Sequence, residues 1–369
     1  GVRQALLDFR LSGIDLPSDQ QQRYAQLQSE LAQLQQKYSE QVLDATQSWT
    51  KAITEVSDLA GLPASALSTL AQYARQKQLD GWLITLEAPS LMPVLTYADS
   101  RALREEVYRA NVTRASELGP DAGKFDNGPV MTEILSKRQA LAELLGYGNY
   151  AEVSLATKMA DSPAQVISFL DEMAAKAYPQ AQQEFAELAD FARRELGLND
   201  LQPWDLGYAS EKLREQRYSI SQEELRPYFP APKALVGLFE TATRLFDVTF
   251  EPAEDYQSYH PDVTLHNVYE GGKLVARFYL DLYARAGKRG GAWMDECRGR
   301  MRVNDGVQLP VAYLTCNFTP PVDGKPSLLT HDDLVTLFHE FGHGLQHMLT
   351  RVEVKAVAGI NGVAWDAVE

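Results

Sequence analysis

Residues 330–343 read Thr330-His331-Asp332-Asp333-Leu334-Val335-Thr336-Leu337-Phe338-His339-Glu340-Phe341-Gly342-His343. Thr330, followed three residues later by Asp333, resembles a capping box, and the apolar run behind it predicts a helix. In that helix His339 and His343 stand four residues apart, so ~6 Å of rise and ~40° of rotation leave them on one face. Two imidazoles so placed can both reach one Zn²⁺ at ~2.0–2.1 Å. Glu340 follows the first histidine, beside the open position of such a metal, where a carboxylate can take a proton from water.

A catalytic zinc needs a third protein ligand and leaves its fourth position to water. The metzincin pattern would put Gly at 346 and His at 349, but the chain has Gln346 and Leu349, so that pattern is excluded. A Glu from a later helix is the alternative, and Glu353 and Glu369 are available. Glu353 lies just past the expected end of the same helix and would need an immediate chain reversal. Glu369 follows Gly359, Gly362 and Trp365-Asp366, a loop long enough to reverse and open a second helix, so Glu369 is the expected third ligand.

An HExxH pattern also arises by chance; the apolar helix around it and the placement of Glu369 are what favour a metal site. His260, His266 and His331 read as structural. His347, one turn further along the same face, reads either as a group supporting the ligands or as a competing ligand. A structural zinc would fill all four positions with protein groups, and neither Cys297 nor Cys316 has CxxC-like spacing to the helix.

Upstream of the helix the texture is β-rich. Thr264–Tyr269 and Lys273–Leu280 are joined by Gly271-Gly272, a two-residue hairpin signal, and Val311–Phe318 follows the Gly-rich loop Lys288-Arg289-Gly290-Gly291. These runs predict a small sheet of three or so strands embedded in a helical protein. Val311–Phe318 reads equally as a sheet edge that holds an extended peptide and as a buried core strand.

Most of the remaining chain predicts helix. From Tyr24 the apolar residues fall at Leu27, Leu31, Leu34, Tyr38, Val42, Ala45 and Trp49, the seam of a long helix packed on another. Further helices are expected over about 63–79, 100–117, 129–145, 163–196 and 232–246, several opening on a proline behind a capping residue, as at Asp161-Ser162-Pro163.

The chain has 369 residues, 45% hydrophobic and 23% charged, the balance of a globular protein with a large core. No run approaches the ~20 apolar residues of a membrane span. A net charge of −15 argues against nucleic-acid partners. Two cysteines make no disulfide framework and fit a reducing, cytoplasmic compartment. The opening GVRQALLDF, without Met or a leader pattern, and the stop at Glu369 both read as cuts in a longer polypeptide.

Phe338-His339-Glu340-Phe341-Gly342-His343-Gly344 resembles the signature of the thimet-oligopeptidase family. The similarity runs along the whole chain: Ser154–Ala160, Leu201–Tyr208, Asp281–Cys297, Pro310–Phe318, Gly324–Asp333 and Gly362–Glu369 all take part. The resemblance implies a zinc endopeptidase, monomeric, that cuts short peptides in a deep channel between two mostly helical lobes. By position it makes His339, His343 and Glu369 the metal ligands and Glu340 the general base. Residues 1–262 would form much of the channel wall, and 263–369 the small sheet and zinc-binding helix that open a catalytic core. In the family, oxyanion-steadying His and Tyr groups and a Gly-rich loop lie beyond the third ligand, where this chain stops, so the core reads as truncated at its C-terminus. The competing readings are a non-catalytic helical peptide-binding or scaffold fragment with structural or no metal, and a metal-dependent hydrolase of something other than peptides.

Overall fold

The computed structural model of the chain describes residues 1–364 and Val368. The protein is mainly α with a small embedded sheet, as expected, and it divides into two compact units.

The first unit is built on Gly1–Trp49 and Tyr108–Leu201. Its long helix Ser18–Ser48 packs on helix Gly128–Leu144, with Leu27 and Leu31 against Val130, Ile134 and Leu141. Tyr24 and Leu34 flank that contact; the predicted seam opens at Tyr38, 38% exposed, and is buried again at Ala45, 2% exposed. A second long helix, Pro163–Glu195, opens where its sequence predicted, the Ser162 hydroxyl accepting from the Gln165 amide.

The second unit, Thr50–Val107 and Gln202–Val363, holds the sheet and the HExxH helix. Its helical part is fastened by a buried ion cluster. Asp205, fully buried, accepts from Arg104 at 2.8 Å and from Arg101 at 2.7 Å. Arg104, only 1% exposed, also donates to the Ala98 carbonyl and lies 4.1 Å over the Tyr208 ring. Burial alone would raise the Asp205 pKa, but the two guanidiniums outweigh it and hold the carboxyl below its ordinary range.

Helix α1 (Ala231–Phe246) leads into a five-stranded sheet of β1 (Val248–Pro252), β2 (Thr264–Glu270), β3 (Lys273–Tyr283), β4 (Trp293–Arg298) and β5 (Val311–Phe318). Helix α2 (His331–Met348) follows. The strand order is β1-β2-β3-β5-β4, antiparallel except for the parallel β3–β5 pair. Gly271 and Gly272 both take positive φ (55° and 78°), the mirror-image turn that matches the twist of a two-residue hairpin.

Two strands that sequence reading missed complete this sheet, β1 and β4. Their arrival settles the role of Val311–Phe318. Flanked by β3 and β4, it is an internal strand, with Ala312, Leu314 and Cys316 at most 1% exposed. The edge beside it is β4, and no strand among the described residues pairs with β4's outer side.

Because Arg104 has no solvent to turn to, removing its anion leaves a buried charge unpaired. Asp205→Ala is expected to destabilise the fold by about 3–5 kcal/mol, read from urea denaturation. The cluster's contribution is present above the ordinary carboxylate pKa and fades as pH falls through the lowered folded value. An unchanged midpoint would show that the cluster adds nothing to stability.

Candidate metal centre

Helix α2 begins as its sequence predicts. The Thr330 hydroxyl accepts from the Asp333 amide at 3.0 Å, and the Asp333 carboxylate accepts from the Thr330 amide at 2.9 Å. Its rotation about its own axis is set by packing. Leu337, Phe341, Gly344 and Met348, at helical spacing, are the buried stripe against the sheet. Phe341 sits in a ring cluster 5.5–5.9 Å from Phe278, Phe250 and Phe239. At Gly344 a Cβ would lie 3.0 Å from Leu314 Cδ2, so the helix rides close against β5.

That rotation lifts His339 and His343 off the buried stripe, His339 exposed and His343 half-buried. Their Nε2 atoms face each other at 3.1 Å, with ring planes at 88°. Two ligands at ~2.0–2.1 Å on a tetrahedral ion stand roughly 3.3–3.4 Å apart, so this pair is spaced to share one metal. Glu340 is 8% exposed, buried beside them.

Glu369 lies outside the described residues. Among the described residues no group of three or more His, Cys, Asp or Glu could hold a metal. The rival third ligand, Glu353, has its carboxylate held by Arg302 at 2.6 Å and Arg300 at 3.4 Å, which lowers its pKa. The segment is fixed further by its backbone, the Glu353 carbonyl accepting from the Arg302 amide. A carboxylate bound to two guanidiniums would have to give up both to reach the histidines.

Two of the other histidines serve the scaffold. His266 stacks on Phe278 at 5.2 Å, and burial lowers its pKa. His347 is fully buried, and its Nε2 lies 2.9 Å from the Arg298 carbonyl rather than turning to the His339–His343 pair. Burial first, then the charge of Glu340, pushes the Cys316 thiol up to about 12, so it stays a protonated thiol near neutral pH.

On the face of the sheet opposite α2, Asp281 accepts from Arg285 at 2.6 Å, from Lys288 at 2.8 Å and from the Tyr259 hydroxyl at 3.1 Å. Lys288 also donates to the carbonyls of Asp281, Tyr283 and Cys316, and Asn317 to those of Arg289 and Gly291. The Gly-rich loop Lys288-Arg289-Gly290-Gly291 is thus pinned to the sheet immediately before β4.

The HExxH helix, its two imidazoles converging, is thus close-packed on a small mixed sheet in a mainly helical chain. Residues 94–369 match the model for peptidase family M3, and the chain belongs to that family. It is 56% identical over its whole length to oligopeptidase A of Escherichia coli (strain K12), covering 54% of that protein. It is 52% identical to oligopeptidase A of Haemophilus influenzae over the same extent. Dipeptidyl carboxypeptidase of Salmonella typhimurium is 33% identical over 356 residues, covering 96% of this chain and 52% of that one. The chain therefore spans about half the length of the curated relatives it matches.

With Glu353 committed to Arg300 and Arg302, Glu353→Gln is expected to leave bound zinc per chain unchanged, measured by elemental analysis after dialysis. A loss of half the zinc or more would return Glu353 to the ligand set.

Proposed function

We propose that this chain carries the zinc-binding and proton-transfer groups of an endopeptidase that hydrolyses short oligopeptides. The observation that supports it most is the 3.1 Å approach of two Nε2 atoms beside a buried carboxylate. Peptide substrates are also what the names of the similar oligopeptidases and the dipeptidyl carboxypeptidase indicate.

His339 and His343, with Glu369 as third ligand, would hold the Zn²⁺. When bound, the ion supplies Lewis acidity, polarising the scissile carbonyl and bringing the pKa of water at its open position to about 7. Glu340 accepts the proton of the attacking water and passes it to the leaving amine, a role suited to a carboxylate rigidly held by its burial. The substrate lies extended along the free side of β4, its backbone N–H and C=O groups pairing with the strand's own. Such pairing tolerates many side chains, which suits a peptidase acting on varied oligopeptides.

The reading takes the protein as a cytoplasmic monomer without nucleic-acid or membrane partners. A charge of −15 disfavours a nucleic-acid partner, and two free cysteines fit a reducing compartment.

Glu340→Gln keeps the side chain's size while removing its basicity. It is expected to retain zinc and to lose about 10²–10⁴-fold in cleavage of a quenched fluorescent peptide. Glu369→Ala is expected to lose the zinc itself. Cleavage preserved in a folded Glu340→Gln protein would end the assigned role, and zinc retained in full by Glu369→Ala would end the ligand assignment.

A further inference from the structure

The free edge strand β4 is useful only if it stands at a fixed distance from the histidine pair, and its two ends are held by different means. Its start follows the loop pinned by Lys288 and Asn317. Its end is irregular: pairing with β5 shifts between Glu296 and Arg298, where Cys297 is the extra residue of a bulge. Bulges bend a strand and redirect the groups beside them. Here the Arg298 carbonyl meets Nε2 of His347 at 2.9 Å. A carbonyl only accepts, so His347 carries its proton on Nε2 and donates.

His347 is one turn beyond His343 on α2, so a single hydrogen bond links the HExxH helix to the far end of the edge strand. The ring is 0% exposed and cannot swing away. Gly359 closes over it: with φ of +57°, a Cβ there would lie 2.6 Å from His347 Nδ1. Asn361 and Lys355, on the same returning segment, hold the Glu296 carboxylate at 2.7 Å and 3.4 Å. Glu296 in turn stands 4.0 Å from His347 Nδ1.

We infer that His347 is a positioning residue: it sets the height of β4 relative to His339, Glu340 and His343, and so the placement of a bound peptide's carbonyl. The inference rests on the peptidase reading above, in which the peptide pairs with β4. A brace of this kind acts on the alignment of substrate with catalyst more than on substrate affinity, because the backbone groups of β4 that pair with peptide remain. Misplacement by about 1 Å is enough to cost up to roughly 10²-fold in rate.

The test compares two amides of different reach in the complete natural polypeptide. The side-chain nitrogen of Gln extends to where Nε2 of His lies, whereas that of Asn stops near Nδ1. His347→Gln is expected to keep kcat within about threefold, and His347→Asn to lose about ten- to 100-fold in kcat with KM changed less than twofold and zinc content intact. A second readout needs no turnover. A phosphinic peptide engages strand and metal together, whereas the unmodified peptide on a Glu340→Gln background engages the strand; His347→Asn should weaken the first selectively. Both assays run well below each variant's melting temperature, where a merely stabilising residue would leave kcat unmoved. Equal kcat in the two variants, or loss of zinc in His347→Asn, would overturn the inference. The unvaried protein separates the two levels: if it cleaves no peptide the peptidase reading falls and this inference with it, whereas normal cleavage with matching variants removes the inference alone.

Discussion

The close seating of α2 on β5 is the constraint from which the site follows. Gly344 lets the helix approach until Leu314 fills the space a side chain would need, and Leu337, Phe341 and Met348 bury the stripe on either side of that contact. A helix pressed this tightly has one rotation available, because turning it by a residue would drive a histidine into the aromatic cluster of Phe239, Phe250 and Phe278. The His339–His343 pair therefore faces outward as a consequence of core packing, while Glu340, on the flank, stays buried beside it. Interior packing is rigid enough to transmit such a choice to atoms that take no part in the core.

The same packing explains the chemistry excluded from the site. Cys316 lies on the buried face of β5, where a thiolate would be without solvent and close to a carboxylate. Glu353 is paired with Arg300 and Arg302. Cys316 and Glu353 are thus both committed, one by desolvation and the other by charge pairing.

Much of this was legible locally. The Thr330–Asp333 cap, the four-residue histidine spacing, the Gly271-Gly272 turn and the proline-led helix starts are short-range patterns, and short-range physics forms them. What sequence reading missed was lateral. Trp293–Arg298 carries Asp295, Glu296 and Arg298 and shows no clean alternation, because neither of its faces is buried. Val311–Phe318 is apolar enough for either place in a sheet, and only the presence of β4 decides. That Glu353 pairs with Arg300 and Arg302 shows only in the fold. His347 is indistinguishable by spacing from a ligand-supporting group, since four residues along a helix says which face it occupies and not which carbonyl it meets. Glu369 lies outside the described residues, and its role stays with the proposal.

An unpaired strand edge is ordinarily a hazard, since it offers backbone donors and acceptors to any other chain. β4 carries the usual protections: it is short, bears three charged residues in six positions, and ends in a bulge. Each of these discourages extension of the sheet by a folded neighbour. None prevents a single flexible peptide from aligning over a few residues, because such a ligand can follow the bulge's bend and needs only a short stretch of pairing. The features that keep the edge from aggregating are therefore compatible with the one use proposed for it, and they favour oligopeptides over the edges of folded proteins. Selectivity for short, unfolded substrates can in this way begin at the strand itself, before any wall around the site acts to exclude larger ones.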